Sequence, residues 1–383
     1  MKLKKGIWKD SEFGDIVQNI NVHDKDPLSN EVDRFISLDH IDSGNLKLTR
    51  WGDLNSESTT FTKVFKSSDT LFGKRRSYLK KVALADFDGI CSGDILVFRS
   101  KNGFPSDLIP FIVASDRFID YAVSTSAGSL SPRTKWKDLA KFQIKLPPKD
   151  EQEKILSLFL TLEKQIEQTE AQEGNLRKLR TKLATELVSN TPKFGSLLNG
   201  NCKKVTLSDL AKESRATARN PLDEGIERFV GLEHIEPGNL KIQGWGNVAD
   251  GTTFTKVFAE GDVLFGRRRA YLKKAAKADF KGLCSGDITV LKANPKNIKP
   301  ELLPYYMSAD PVFEFAVSNS AGSLSPRAKW RDLSKMELAI PDLKTQEEIL
   351  KVFELLDKNI EGLANQKETL KKLKHKLLDE ILG

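Results

Sequence analysis

Residues 61–100 read FTKVFKSSDTLFGKRRSYLKKVALADFDGICSGDILVFRS, and residues 254–293 read FTKVFAEGDVLFGRRRAYLKKAAKADFKGLCSGDITVLKA, with 26 identities in 40 aligned positions. The chain contains one unit twice. Working outward, Phe35 returns as Phe229, Trp51 as Trp245, Trp136 as Trp330 and Pro147 as Pro341. The offset is 194 at these positions and 193 inside the quoted stretch, so the second copy lacks one residue before Phe254. A repeat of half the chain is too long for a solenoid unit, so each copy is a domain with something appended.

The appendage is a helix. From Glu151 to Val188 and from Thr345 to Leu382 glycine is almost absent, and Leu, Ile, Glu, Lys and Gln dominate. Ile155, Leu162, Thr169, Leu176 and Leu183 recur every seven residues, with Phe159, Ile166, Glu173, Arg180 and Leu187 four further on. Ile349, Leu356, Leu363, Leu370 and Leu377 pair in the same way with Phe353, Ile360, Lys367, Lys374 and Ile381. Such a narrow seam needs a partner. Either each helix packs on its own domain, or the two pack on each other. Equivalent places in two copies favour antiparallel pairing about a pseudo-two-fold axis. The helix-pairing core is then Ile155, Phe159, Leu162, Ile166, Leu176 and Leu183 against Ile349, Phe353, Leu356, Ile360, Leu370 and Leu377.

Between the helices the chain reads as mixed α/β. Short β-rich runs at Arg34–Leu38, Thr60–Phe65, Thr70–Phe72, Tyr78–Val82 and Ile95–Phe98 are punctuated by Gly, Asp and Ser. Leu108–Ser115, Leu302–Ser308 and the segments after Asp116 and Asp310 look helical. The expected class is α+β: two similar domains separated by two long helices that form an antiparallel coiled coil. The boundaries are 1–149 for the first domain, 150–190 for the first helix, 191–343 for a linker and the second domain, and 344–383 for the second helix. Thr191–Asn201 is the linker.

Net charge is +8 and the pI about 9.1, which suits a phosphate-bearing partner without proving one. Three cysteines, Cys91, Cys202 and Cys284, form neither an even set nor a Cys-x-x-Cys, so a reducing compartment without disulfide or zinc knuckle is expected. The basic start leads into no apolar stretch, and nothing reads as membrane-spanning, so a soluble cytoplasmic protein is expected.

The candidate contact residues are basic. Lys74, Arg75, Arg76, Lys80 and Lys81, with Tyr78 among them, match Arg267, Arg268, Arg269, Lys273 and Lys274 with Tyr271. Five cations in eight residues overload one strand face, so part of this segment must bend after Gly73 or Gly266. Arg offers a planar fork for guanine or phosphate, and Lys a point charge for phosphate. The competing explanation is an edge strand guarded by lysines. The small-residue loop SAGSLSPRTKW, residues 126–136, and SAGSLSPRAKW, residues 320–330, add Arg133, Lys135, Arg327 and Lys329. Trp136 and Trp330 read as core. His40 and His234 lack the companions of a metal site and read as structural.

No nucleotide-binding glycine loop and no nucleophile triad is visible. Asp310-Pro311-Val312-Phe313 faintly matches an adenine-methyltransferase loop, but the first copy has Asp116-Arg117-Phe118-Ile119 there, and no cofactor loop accompanies it.

The order of domain, helix, domain, helix now counts as a whole. Each domain carries LFG(K/R)RR(S/A)YLKK, and each helix is entered by a proline followed by Gln-Glu, at Gln152-Glu153 and Gln346-Glu347. Together they resemble the specificity subunits of type I restriction–modification systems, over essentially the whole chain. Ser68-Asp69 stands where Gly-Asp is usual, as at Gly261-Asp262. The resemblance implies two target-recognition domains, each reading half of a split site in double-stranded DNA. The helices would space the half-sites and dock two methyltransferase subunits, and restriction/translocase subunits would complete the complex. S-adenosylmethionine, ATP and magnesium are expected on those partners, and no cofactor, metal or catalysis on this chain. Because the copies are so alike, a near-palindromic site is expected. Differences concentrate at 18–30 against 212–224 and 99–107 against 292–301. The competing readings are a protein-interaction scaffold on a coiled coil, an unrecognised nuclease, and a specificity subunit serving a fused methyltransferase–nuclease.

Overall fold

The computed structural model describes residues 3–189, 191–198, 202–322 and 324–382. It divides into two units, Met1–Gln168 with Gln366–Gly383, and Thr169–Asn365. Each unit holds one domain and part of both long helices.

In the first unit the apolar strand Thr70–Gly73 pairs antiparallel with Ile95–Ser100 and with Val82–Leu84, and Val17–Ile20 closes the sheet beyond Ile95–Ser100. Side chains alternate across a strand, so Leu71, Ile95 and Val97 face one way and Phe72, Leu96 and Phe98 the other. The first set is buried against a second sheet of Gly52–Asp53, Arg34–Ile36, Gly89–Cys91 and Lys63–Phe65, in which Arg34–Ile36 runs parallel to Gly89–Cys91. The second set is buried against Ile109–Ala114, Asp116–Ser124 and the start of the first long helix. A sheet covered on both faces reads as an unbroken apolar run, which is how Ile95–Phe98 reads. A two-stranded ribbon, Lys9–Glu12 with Gln143–Leu146, ties the start of the domain to the approach of the helix.

The second unit repeats this plan. Val263–Gly266 lies between Ile288–Ala293 and Ala275–Lys277, with Ala211–Glu213 at the edge. Arg228–Val230 is parallel to Gly282–Cys284 in the other sheet. Cys202–Thr206 pairs with Glu337–Pro341. The expected α+β class and its duplication hold. One expected element does not. Tyr78 is in no strand: Ser77–Leu79 is a 3-10 turn, and the strand begins only at Val82. Tyr and Leu are β-prone, but the backbone on either side of that turn is left-handed, which a strand cannot accommodate.

The long helices are Lys149–Leu187 and Leu343–Leu382, each about 60 Å at 1.5 Å per residue. In the first unit Ile155, Phe159 and Leu162 share a core with Leu378, Ile381 and Leu382 and with Phe111 and Ile112 of the domain. Glu163 pairs with Lys374 across the helices at 2.8 Å. In the second unit Ala184, Leu187 and Val188 share a core with Ile349, Phe353 and the domain's Tyr305, and Arg180 pairs with Asp357. These are the same ion pair under the 194 offset. Within each unit the helix segments run antiparallel, and both alternatives are realised, since each helix packs on a domain and on its partner helix. Of the expected seam, Ile155, Phe159, Leu162, Ile166, Ile349, Phe353 and Ile360 are buried, while Leu176, Leu183, Leu356, Leu370 and Leu377 are half-buried. The linker is more than a spacer, because Phe194 is buried against Phe353, ring centroids 5.4 Å apart. Its residues 199–201 lie outside the described residues.

Phe159 is fully buried and stacked on Phe111 at 4.9 Å. Phe159→Ala is expected to cost about 3–5 kcal/mol, the range for emptying an aromatic site in a packed core. Denaturant unfolding monitored by circular dichroism checks it, and a loss under about 1 kcal/mol would mean the site collapses without a cavity.

Candidate nucleic-acid interface

The basic segment leaves the sheet at Gly73 and returns at Lys81, with Gly73 N–H donating to the Lys81 carbonyl at 2.9 Å. Between them the turn Ser77–Leu79 is flanked by two left-handed residues, Arg76 (φ 53°) and Lys80 (φ 50°). Arg269 and Lys273 repeat this in the second copy, both at φ 50°. A left-handed non-glycine residue costs about 1–3 kcal/mol and persists only where its surroundings over-determine it. Ser77 and Ala270 supply that constraint, being small and buried beneath the turn. The turn thereby lifts Tyr78 and Tyr271 outward, 53% and 54% exposed.

The small-residue loop is zipped onto this turn. Arg76 N–H donates to the Pro132 carbonyl at 2.8 Å, and Thr134 N–H to the Lys74 carbonyl at 3.1 Å. In the second copy Arg269 N–H donates to Pro326 at 2.8 Å, and Ala328 N–H to Arg267 at 2.9 Å. Gly128 and Gly322 turn the loop at φ 112° and 113°, a conformation that strains any residue with a Cβ. At its tip Leu130 and Leu324 are 90% and 91% exposed. Segments more than 50 residues apart in sequence thus form one surface in each copy.

Under that surface sits one carboxylate. Asp94 accepts from Arg133 Nε at 2.7 Å and Nη2 at 3.1 Å, and lies 3.7 Å from Arg75 Nη1. Arg75 Nη2 donates to Ser131 Oγ at 3.1 Å. Asp287 does the same for Arg327 (2.7 Å) and Arg268 (3.3 Å), and Arg268 reaches Ser325 at 3.1 Å. The hydrogen bond from Arg133 holds the Asp94 carboxyl below the usual carboxylate range against the upward push of burial. Burial also pushes Asp287 up, and the bonds and charges of Arg327 and Arg268 outweigh it.

The basic residues fall into three groups. Lys80 pairs with Asp116, and Lys273 with Asp310 at 2.6 Å, each at the start of a helix. Lys81 and Lys274 donate to the carbonyls of Leu38 and Leu232. These four lysines brace the turn. Lys74 and Arg267 are half-buried, with the Arg267 Nε fully covered. Arg76, Arg133, Lys135, Arg269, Arg327 and Lys329 point to solvent with the tyrosines. Trp136 packs on Phe13 and Phe98 at 6.1 and 5.6 Å, as core. His40 and His234 accept the backbone N–H of Ser37 and Gly231 and lie against Phe35 and Phe229, which is structural work.

Three features were not singled out from sequence. Asp94 and Asp287 stand in the duplicated CSGD, which was a signal for them. Leu130 and Leu324 stand in the duplicated SAGSL. Arg34 lies over Trp51 at 4.7 Å, and Arg228 over Trp245 at 4.5 Å, with both tryptophans partly exposed. That contact joins residues with no shared sequence pattern. Asp116, His375 and Asp379 bring ligand atoms within 4.8 Å of one another. Asp116 is already engaged by Lys80, and the counterparts of His375 and Asp379 are Thr181 and Thr185. The group ties a domain to a helix: Asp116 N–H donates to Asp379 at 2.9 Å, as Asp310 N–H does to Thr185 at 3.2 Å.

Among the described residues no helix is long and apolar enough to cross a membrane. Residues 8–175 and 201–372 each match the family model of the type I restriction modification DNA specificity domain. The EcoDI type I restriction enzyme specificity subunit of Escherichia coli is 27% identical over 225 residues, 55% of this chain and 49% of that protein. The chain therefore spans about half the length of that relative. A chain solved in work on assembly and conformational transition of the type I R-M system superposes with a TM-score of 0.57, at 19% identity over 97% of both chains. The type I S subunit from M. genitalium superposes at 0.53, with 14% identity over 100% of this chain and 98% of that one. Those two likenesses are of fold. The paired family matches cover most of both copies, and by them this chain belongs to the type I restriction–modification DNA specificity family.

Proposed function

We propose that this chain is the address-reading subunit of a type I restriction–modification complex, with no catalysis of its own. It reads a bipartite, near-palindromic site in double-stranded DNA and docks two methyltransferase subunits, which restriction/translocase subunits join. S-adenosylmethionine is bound by the methyltransferases, and ATP and magnesium by the restriction subunits. The observation that carries this is the surface built twice with the same outward residues: Arg76, Tyr78, Leu130 and Arg133 answer Arg269, Tyr271, Leu324 and Arg327. Equal surfaces select equal base patterns, because an arginine fork adds about 1–3 kcal/mol of discrimination wherever it meets guanine. The lysine and remaining arginine charges supply affinity through phosphate, with its salt dependence. The helix pair spaces the half-sites and offers the docking face.

The test is co-expression with candidate modification subunits and mapping of methylated adenines. An interrupted inverted repeat is expected. Two unrelated half-sites would overturn the near-palindrome and direct attention to 18–30 against 212–224. No methylation dependent on this chain would overturn the address reading altogether.

A further inference from the structure

Two arginines of this surface in each copy are held by the fold, Arg75 with Arg133 and Arg268 with Arg327. Arg133 carries five N–H donors. Asp94 takes those on Nε and one on Nη2, along one edge of the guanidinium. The Nη1/Nη2 end remains, which is the pair of donors that matches guanine O6 and N7. Arg75 is held from two sides. Asp94 lies by one amino group, Ser131 Oγ by the other, and its Nε is enclosed without an acceptor among the described residues. An enclosed, unpaired donor is unfavourable, so it is tolerated here only with the rest of the fork held. Every one of these features recurs at Arg268, Ser325, Arg327 and Asp287, including the enclosed Arg268 Nε. A carboxylate on a surface meant only to attract phosphate would be counterproductive, because it cancels charge. Its presence in both copies fits a surface in which orientation matters more than attraction.

We propose that Asp94 and Asp287 are positioning residues for base readout. They hold the paired arginines in one geometry and lower the surface's affinity for phosphate in general. This rests on the DNA-reading function above. The carboxylates trade non-specific affinity for discrimination, so removing them moves the two quantities in opposite directions.

The test uses the full chain and a randomised pool of duplex DNA, with selection followed by titration of the selected duplex and a scrambled one. For Asp94→Asn with Asp287→Asn, discrimination between the duplexes is expected to fall about tenfold or more. Affinity for the scrambled duplex should rise severalfold at low salt, since two negative charges are gone. Unchanged discrimination overturns the proposal, as does a fall in both affinities together, which is what simple loosening of the loop produces. Should the double Asn variant fail to fold, Asp94→Glu with Asp287→Glu keeps the charge and displaces the fork. Loss of discrimination without gain in scrambled affinity then supports the proposal, and retained discrimination overturns it. A native chain that enriches no sequence overturns the DNA-reading function instead, and is distinguishable from either result.

Discussion

Replacing Arg75, Arg76, Arg268 and Arg269 together by alanine is expected to weaken duplex DNA binding by the full chain about a hundredfold or more, and to flatten its salt dependence. Each phosphate-contacting cation contributes close to one unit of slope in log affinity against log salt. An arginine on a base edge adds discrimination besides. Arg76 and Arg269 carry the cleaner half of the experiment. Among the described residues the Arg76 side chain makes one long hydrogen bond, to the Leu130 carbonyl at 3.5 Å, so its removal leaves the loop's ladder of backbone hydrogen bonds in place. Arg75 and Arg268 also anchor the loop through Ser131 and Ser325. The Arg76/Arg269 pair alone should therefore retain native thermal stability while losing part of the affinity. Titrations of a labelled duplex across a salt series measure both. Unchanged affinity with an unchanged slope would remove these residues from the interface.

The second large effect concerns stability. In the second unit the Arg180 guanidinium is almost wholly buried, bonded to Asp357 and to the Gly238 carbonyl. Tyr305 donates its hydroxyl to the other oxygen of Asp357 at 2.5 Å. Burial, and then that carboxylate, push the Tyr305 hydroxyl well above the usual phenol range, so it stays a donor. Arg180→Ala removes a buried guanidinium with its two hydrogen bonds and leaves the partly exposed Asp357 without its cation, and is expected to cost about 2–3 kcal/mol. The first unit shows the contrast. Phe111 stands where the second unit has Tyr305, and the ion pair there is Glu163 with Lys374. Converting Arg180 and Asp357 to leucine with Tyr305→Phe removes every polar side chain of the group and leaves only the Gly238 carbonyl, so that variant should lie near native stability. Denaturant titration compares the two. An Arg180→Ala chain within about 1 kcal/mol of the native one would show that water reaches the pair.

Much of the architecture was legible because it is written in periodicity. The duplication needs only alignment of the chain with itself. The helices follow from a sevenfold seam in residues that favour helix, and residues such as Ile155 and Phe353 are buried as that seam requires. The basic cluster was legible as a cluster, and the overload of one strand face required a bend after Gly73. The bend's form was not legible: the left-handed Arg76 is bonded to Pro132 of a loop that begins 50 residues later, and the left-handed Lys80 is tied to Asp116. Sequence also ranked all five cations of each cluster alike. The structure separates Lys80 and Lys81, which brace the turn, from Arg76, which faces solvent.

The sequence by itself determined what is local or repeated: two domains of one kind, two amphipathic helices, and the residue types at the surface. Hydrophobic periodicity acts between neighbours on one element, so it can be read along the chain. Only the tertiary structure decided which groups meet at a distance. Asp94 with Arg75 and Arg133, Arg34 with Trp51, and Arg180 with Tyr305 through Asp357 are such meetings. Charge and hydrogen-bond partners satisfy one another through space, and nothing in residue spacing records which of several equally suited partners the folded chain brings into contact.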